Sequence, residues 1–189
     1  MDKPEKRKKF LDRKEAVKYI EAELTKGTPR KDILQQLSQQ YYGKHSIAML
    51  IASIPNPELK RKYKILNDIL LGLLLLIILN KLWYSVILLS NFSLAAVPFI
   101  IQLVFNIYFA YEVTKYNARI YNLIGILALV GIWYLISNLG DTANGVAIIL
   151  GVLLNLIIAI LAFYLSLKLF PNYGFFGPKK DAKGNIILE

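Results

Sequence analysis

An all-α fold, an integral membrane bundle of four transmembrane helices with a small N-terminal cytoplasmic helical head, is the class this sequence predicts. Three observations lead there. Four apolar stretches lie between Ile65 and Phe170 with only short polar breaks between them. Hydrophobic residues make up 56% of the chain and the mean hydropathy is +0.44, values that belong to membrane rather than soluble proteins. Charge is concentrated at one end: residues 1–64 hold 16 Lys/Arg against 8 Asp/Glu, and everything after Lys64 holds 7 against 5.

Residues 1–9 are rich in Lys and Glu without apolar periodicity and read as a disordered basic tail. The cytoplasmic head follows over 10–57. Val17, Ile20 and Leu24 recur at helical spacing and form an apolar stripe that Gly27 ends as a C-cap. Thr28 then has the chemistry of an N-cap with Pro29 at the first helical position, and Ile33, Leu37 and Tyr41 continue the stripe. Gly43 breaks this second helix. Ile47, Leu50, Ile51 and Ile54 mark a third, which Pro55 and Pro57 close. Three helices in about 45 residues are near the lower limit for independent stability, so the head is expected to lean on the membrane surface or a partner.

The transmembrane domain is expected over 58–170, with spans at about 65–82, 85–111, 120–137 and 146–170, each able to cross a hydrocarbon layer of ~30 Å. Lys81 and the aromatic pair Trp83–Tyr84 are read as the outer end of the first span, which puts Ser90–Ser93 inside the second. Lys and Arg flank alternate ends: the head, then Lys115 and Arg119, then Lys168, Lys179, Lys180 and Lys183, while the connection 138–145 has none. Basic flanks resist translocation, so both termini are expected in the cytoplasm. The richness in Ile, Lys and Asn and the short loops fit a bacterial cytoplasmic membrane. Residues 171–189 read as a cytoplasmic tail, either a small hairpin or a loose segment on the membrane surface.

Candidate functional residues are polar or small groups at membrane depth, because an amide in hydrocarbon needs a partner. Asn91, Ala95, Pro98, Gln102 and Asn106 fall on one face of the second span, with Pro98 expected to bend it. Ala147, Gly151, Asn155, Ala159, Ala162 and Ser166 fall on one face of the fourth. Two uses are open to these stripes: packing on each other with Asn155 bonded to Gln102, or lining an amide path for a small solute. The Lys60, Arg61, Lys62 and Lys64 cluster fits a membrane-surface site that meets anionic lipid headgroups.

Cysteine is absent, which removes thiolate catalysis and cysteine-ligated metals, and His45 has no second histidine to complete a site. No Ser-His or paired-carboxylate arrangement lies within the spans, and no cofactor or nucleotide motif is present. Two short helices meeting at Gly43 allow a helix-turn-helix, yet the third helix reads Ile-Ala-Met-Leu-Ile-Ala-Ser-Ile, chemistry that disfavours nucleic acid as a partner. The expected function is therefore a non-enzymatic multi-pass membrane protein that docks or organises partners at the cytoplasmic face. The bilayer itself, a homo-oligomer or another membrane protein are the partners this implies. A small transporter or channel subunit is the alternative, and a membrane-tethered nucleic-acid-binding regulator a further one.

Overall fold

The fold is described from a computed structural model, over residues 12–41, 43–91, 94, 96–137 and 145–188. The expected basic tail at 1–9 and most of the connection 138–145 lie outside the described residues. Seven helices and one two-stranded ladder occur in chain order among them: α1 (Arg13–Thr25), α2 (Arg30–Gln40), α3 (Lys44–Ser53), α4 (Pro57–Ser90), α5 (Ala96–Thr114), α6 (Ala118–Ser137), α7 (Gly145–Leu169), β1 (Tyr173–Gly174) and β2 (Gly177–Pro178). They divide into two compact units. One comprises the described residues up to Lys62 and those from Ser166 onward, and the other is Tyr63–Leu165.

In the first unit, Asp12 caps α1 by accepting from the Lys14 amide at 2.9 Å. At the other end Gly27 takes φ +81, which lets the Thr28 and Gly27 amides reach back to the Glu23 and Leu24 carbonyls at 3.0 and 3.1 Å. Thr28 does not cap α2, as its position suggested. Its hydroxyl donates to the Glu23 carboxylate of α1 at 2.9 Å, and Pro29 occupies the N-cap instead. The same carboxylate pairs with Lys26, and those hydrogen bonds hold it below its ordinary range.

Ile20, Leu24, Ile33, Leu37, Ile47, Ile51 and Ile54 point inward from the three helices and form one apolar cluster. The cluster is closed by the chain's own tail, for Leu188 is buried in it and Ile186 packs on its rim. A three-helix head short of apolar surface thus gains it from residues that follow α7, rather than standing by itself. The tail is ordered for this by an antiparallel β1–β2 hairpin, a Lys180–Ile186 bridge and an Asp181 turn. The Asp181 carboxylate accepts from the Lys183 and Asn185 amides at 2.9 and 2.8 Å, and bonding to Asn185 lowers its pKa.

Arg30 is the charged group that the cluster admits, with 8% of its surface exposed. Its guanidinium donates to the Ile51 carbonyl and, at 2.8 Å, to that of Ile54, so it satisfies carbonyls that the end of α3 leaves open. Burial lowers the pKa of this guanidinium.

The second unit holds most of the apolar helices. Among the described residues α4, α5, α6 and α7 are long and apolar enough to cross a membrane, and only 17–33% of their most apolar windows is buried inside the protein. Most of their Leu, Ile, Val and aromatic side chains therefore face outward. Such surface fits hydrocarbon and not water.

The third and fourth helices lie where the sequence puts them, but the first two do not. Lys81, Trp83 and Tyr84 do not end a helix: α4 continues unbroken to Ser90, and α5 begins only at Ala96. No Gly or Pro interrupts α4 between Leu73 and Ser90, and Lys, Trp and Tyr are compatible with a helix interior. The stop comes from the polar residues that follow, where Ser90 and Asn91 turn back to bond the Ile87 carbonyl at 2.8 and 3.0 Å. At 34 residues α4 is about 50 Å long, well beyond the hydrocarbon thickness. Pro98 is consequently the third residue of α5, within the first turn where amides lack intrahelical partners, and does not kink a span.

Removing the tail's contribution tests the closed core. Leu188→Ala should destabilise the first unit by about 2–4 kcal/mol, read as faster amide hydrogen exchange throughout α1–α3 in the intact chain, with exchange in α6 unchanged.

Candidate functional site

Among the described residues of the second unit, the most deeply buried polar groups are not the expected ones. Asn67 on α4 is 2% exposed and Tyr121 on α6 is 0% exposed. The Tyr121 hydroxyl donates to the Asn67 amide oxygen at 2.5 Å, and the Val113 carbonyl of α5 lies 3.4 Å away. Three helices are thereby joined at one phenol. Helical spacing explains the positions, since Asn67, Leu70 and Leu74 share the inward stripe of α4, and Ala118, Tyr121, Ile124, Gly125 and Ala128 that of α6. That stripe is legible in the sequence once α4 and α6 are read as faces. Both residues sit near the start of a span, however, where polarity is ordinary.

Beside this lock, the α5–α6 turn places Tyr116 at φ +54, a left-handed conformation that costs a non-glycine residue about 1–2 kcal/mol. Its amide bonds the Val113 carbonyl and the Asn117 amide bonds that of Glu112, so the strain is met by capping the end of α5. Asn117 also donates its side-chain amide to Glu112 at 2.6 Å. The Lys115 ammonium lies 3.9 Å from the Tyr111 ring centroid, and its bond to Tyr111 raises its pKa.

The expected bond between the two stripes is not made. Asn155 donates to the Gly151 carbonyl of its own helix at 2.9 Å, and its amide oxygen lies 3.0 Å from where a Cβ on Gly131 of α6 would stand. Gln102 instead accepts from the Lys81 ammonium of α4. Asn155 and Gln102 do not bond each other, because the small-residue side of α7 packs on α6: Gly151 meets Leu135, and Phe163 fills the space above Gly125. Ala159 and Ala162 are buried, Gly151 and Asn155 half-buried and Ala147 exposed. Asn91 lies in the turn after α4, Asn106 is half-buried on α5, and Ala95 is outside the described residues. Asn91 therefore does not share a helix with Pro98, Gln102 and Asn106.

Lys81 is a half-buried cation on α4. Besides Gln102 it has the Phe99 ring 5.8 Å from its nitrogen, a cation–π contact that replaces some of the lost hydration. In the basic cluster, Lys60 is committed to Glu21 of α1 at 2.8 Å. Arg61 lines a shallow groove with Leu24, Lys26, Gly27, Asn56, Pro57 and Glu58, while Lys62 and Lys64 lie on the exposed side of α4. The cluster is thus divided between holding α4 to α1 and presenting charge outward. Chemically the chain offers amide and phenol hydrogen bonds, exposed ammonium and guanidinium groups and, among the described residues, no gathering of three His, Asp or Glu.

The class these features define is an all-helical chain suited to a membrane. Comparison with protein-family models, curated proteins and solved structures gives no match.

Two substitutions test this packing. Tyr121→Phe leaves the Asn67 amide oxygen buried without a donor and should cost about 1–2 kcal/mol, measured as a lower unfolding temperature in detergent, whereas Asn67→Leu combined with it should recover part of the loss. In Gly125→Ala the new Cβ would stand 2.6 Å from the Phe163 ring. It should cost about 1–3 kcal/mol by the same measurement, less when Phe163→Leu is added.

Proposed function

We propose that this chain is a non-enzymatic, multi-pass protein of a bacterial cytoplasmic membrane that docks or organises partners at the cytoplasmic face. The observation that carries the reading is the shared core of head and tail. Residues before α4 and residues after α7 pack together, so both ends of a chain with four crossings belong on one side. The excess of Lys and Arg in the head favours the cytoplasmic side.

The unit so formed has a charged exterior suited to a partner with acidic groups: Lys26 and Arg61 on the groove, and Lys14, Lys18 and Lys31 elsewhere on its exposed surface. Nucleic-acid reading by α3 finds little support, since Ile47, Ala48, Ile51 and Ala52 are consumed by the core. A solute path is supported less than packing, because Asn67, Tyr121, Asn155 and Gln102 all have hydrogen-bond partners within the protein.

A cysteine-free chain makes the test direct. A photo-crosslinker on Arg61→Cys should capture a discrete protein from native membranes, and vesicles containing the purified chain should leak ions and small solutes no faster than empty ones. Flux that Asn155→Leu or Gln102→Leu abolishes would replace docking with transport.

A further inference from the structure

Among the described residues of the first unit, the β1–β2 hairpin carries an exposed apolar tip. In the β1–β2 hairpin, Tyr173 pairs with Pro178 and Gly174 with Gly177, which leaves Phe175 and Phe176 as the two residues of the tip. Phe176 is 99% exposed and Phe175 49%, and their rings meet edge to face with centroids 5.1 Å apart. Turn chemistry does not ask for them. Two-residue hairpin loops favour Asn, Asp and Gly, whose backbones accept the turn and whose side chains accept water. A phenylalanine left wholly in water forgoes about 1.5–3 kcal/mol of burial.

The base of the hairpin is firm. Tyr173 and Asn172 are buried, the Lys179 amide donates to the Asn172 carbonyl at 2.9 Å, and Ile187 donates to the Lys179 carbonyl at 2.9 Å. Leu188 then enters the helical core. The tip is therefore a short projection on an anchored root and not a fraying end.

Two further facts identify what receives it. The tip follows the end of α7, at Leu169, by only seven residues, so chain length confines it to within about 25 Å of that end even at full extension. Lys168, Lys179 and Lys180 flank it in sequence and no carboxylate lies between Lys168 and Lys180, a charge pattern complementary to anionic headgroups. Apolar aromatics beside lysines are the composition of segments that seat at the headgroup–acyl boundary.

We propose that Phe175 and Phe176 insert into the lipid interface next to the fourth apolar helix, making the hairpin a membrane-seated finger of the first unit. The partner is the bilayer surface, and the inference goes beyond the docking reading while requiring that α7 be embedded. The two requirements can be separated in one experiment. A nitroxide is placed by Phe176→Cys, Lys183→Cys or Ile157→Cys in the full chain, reconstituted into phosphatidylcholine–phosphatidylglycerol vesicles. Collision with oxygen, which concentrates in lipid, is then compared with collision with a water-soluble nickel chelate.

At 157 the label should favour oxygen, which reports that α7 is embedded; a label there that favours the chelate removes the membrane reading and the finger with it. At 183 the label should be open to the chelate. At 176 it should favour oxygen and be several-fold less accessible to the chelate than at 183. Access to the chelate equal to that at 183, with 157 still in lipid, would overturn the finger alone. So would protection from both reagents, which would mean that the tip is buried against protein, including a second copy of the chain.

Discussion

Hydrocarbon around the outward side chains of α4–α7 is the condition on which the remaining architecture depends. Their apolar surface has too little protein to cover it, so lipid must solvate what the bundle leaves bare. That condition removes hydrophobic attraction as the force joining helix to helix, since a lipid tail is as apolar as a leucine. Specific fit has to supply it instead. The structure does so with one buried phenol–amide bond, one ring seated over a glycine, and a glycine facing an amide. Each is local, directional and sensitive to a single methyl or hydroxyl.

Much of this fold was legible because hydropathy is strong and simple. The sequence alone locates α6 and α7 within two residues, since apolar runs bounded by short polar loops leave few choices. It misplaces the turn between α4 and α5 for a physical reason. Lys81 looks like a water-exposed end, but an ammonium that finds an amide oxygen and an aromatic face can remain within a helix. The true stop lies in serine and asparagine side chains that compete for carbonyls, a weaker signal than a charge. Once the turn moves, Pro98 changes from a kink to an N-terminal residue and Asn91 falls outside the helix that carries Gln102 and Asn106.

The candidate site was less legible than the fold. Asn155 and Gln102 stand out as amides in apolar runs, yet each is satisfied by a neighbour that no pattern links to it. Asn67 and Tyr121, which do carry a three-helix junction, lie 54 positions apart. Their common feature is membership of inward faces, and a face can be assigned only after helix boundaries are known. The head shows the same limit, for helical spacing finds the stripes of α1, α2 and α3 but not the leucine from far along the chain that completes their core.

That last contact imposes an order on biogenesis. Ile186 and Leu188 follow α7, so all four apolar helices leave the ribosome before the residues that close the α1–α3 core exist. α1–α3 emerge before these helices, and their core is closed after them. Until then Ile20, Ile33, Ile47 and Ile51 lack part of their cover. Completion of the α1–α3 core therefore waits on synthesis of the residues beyond α7.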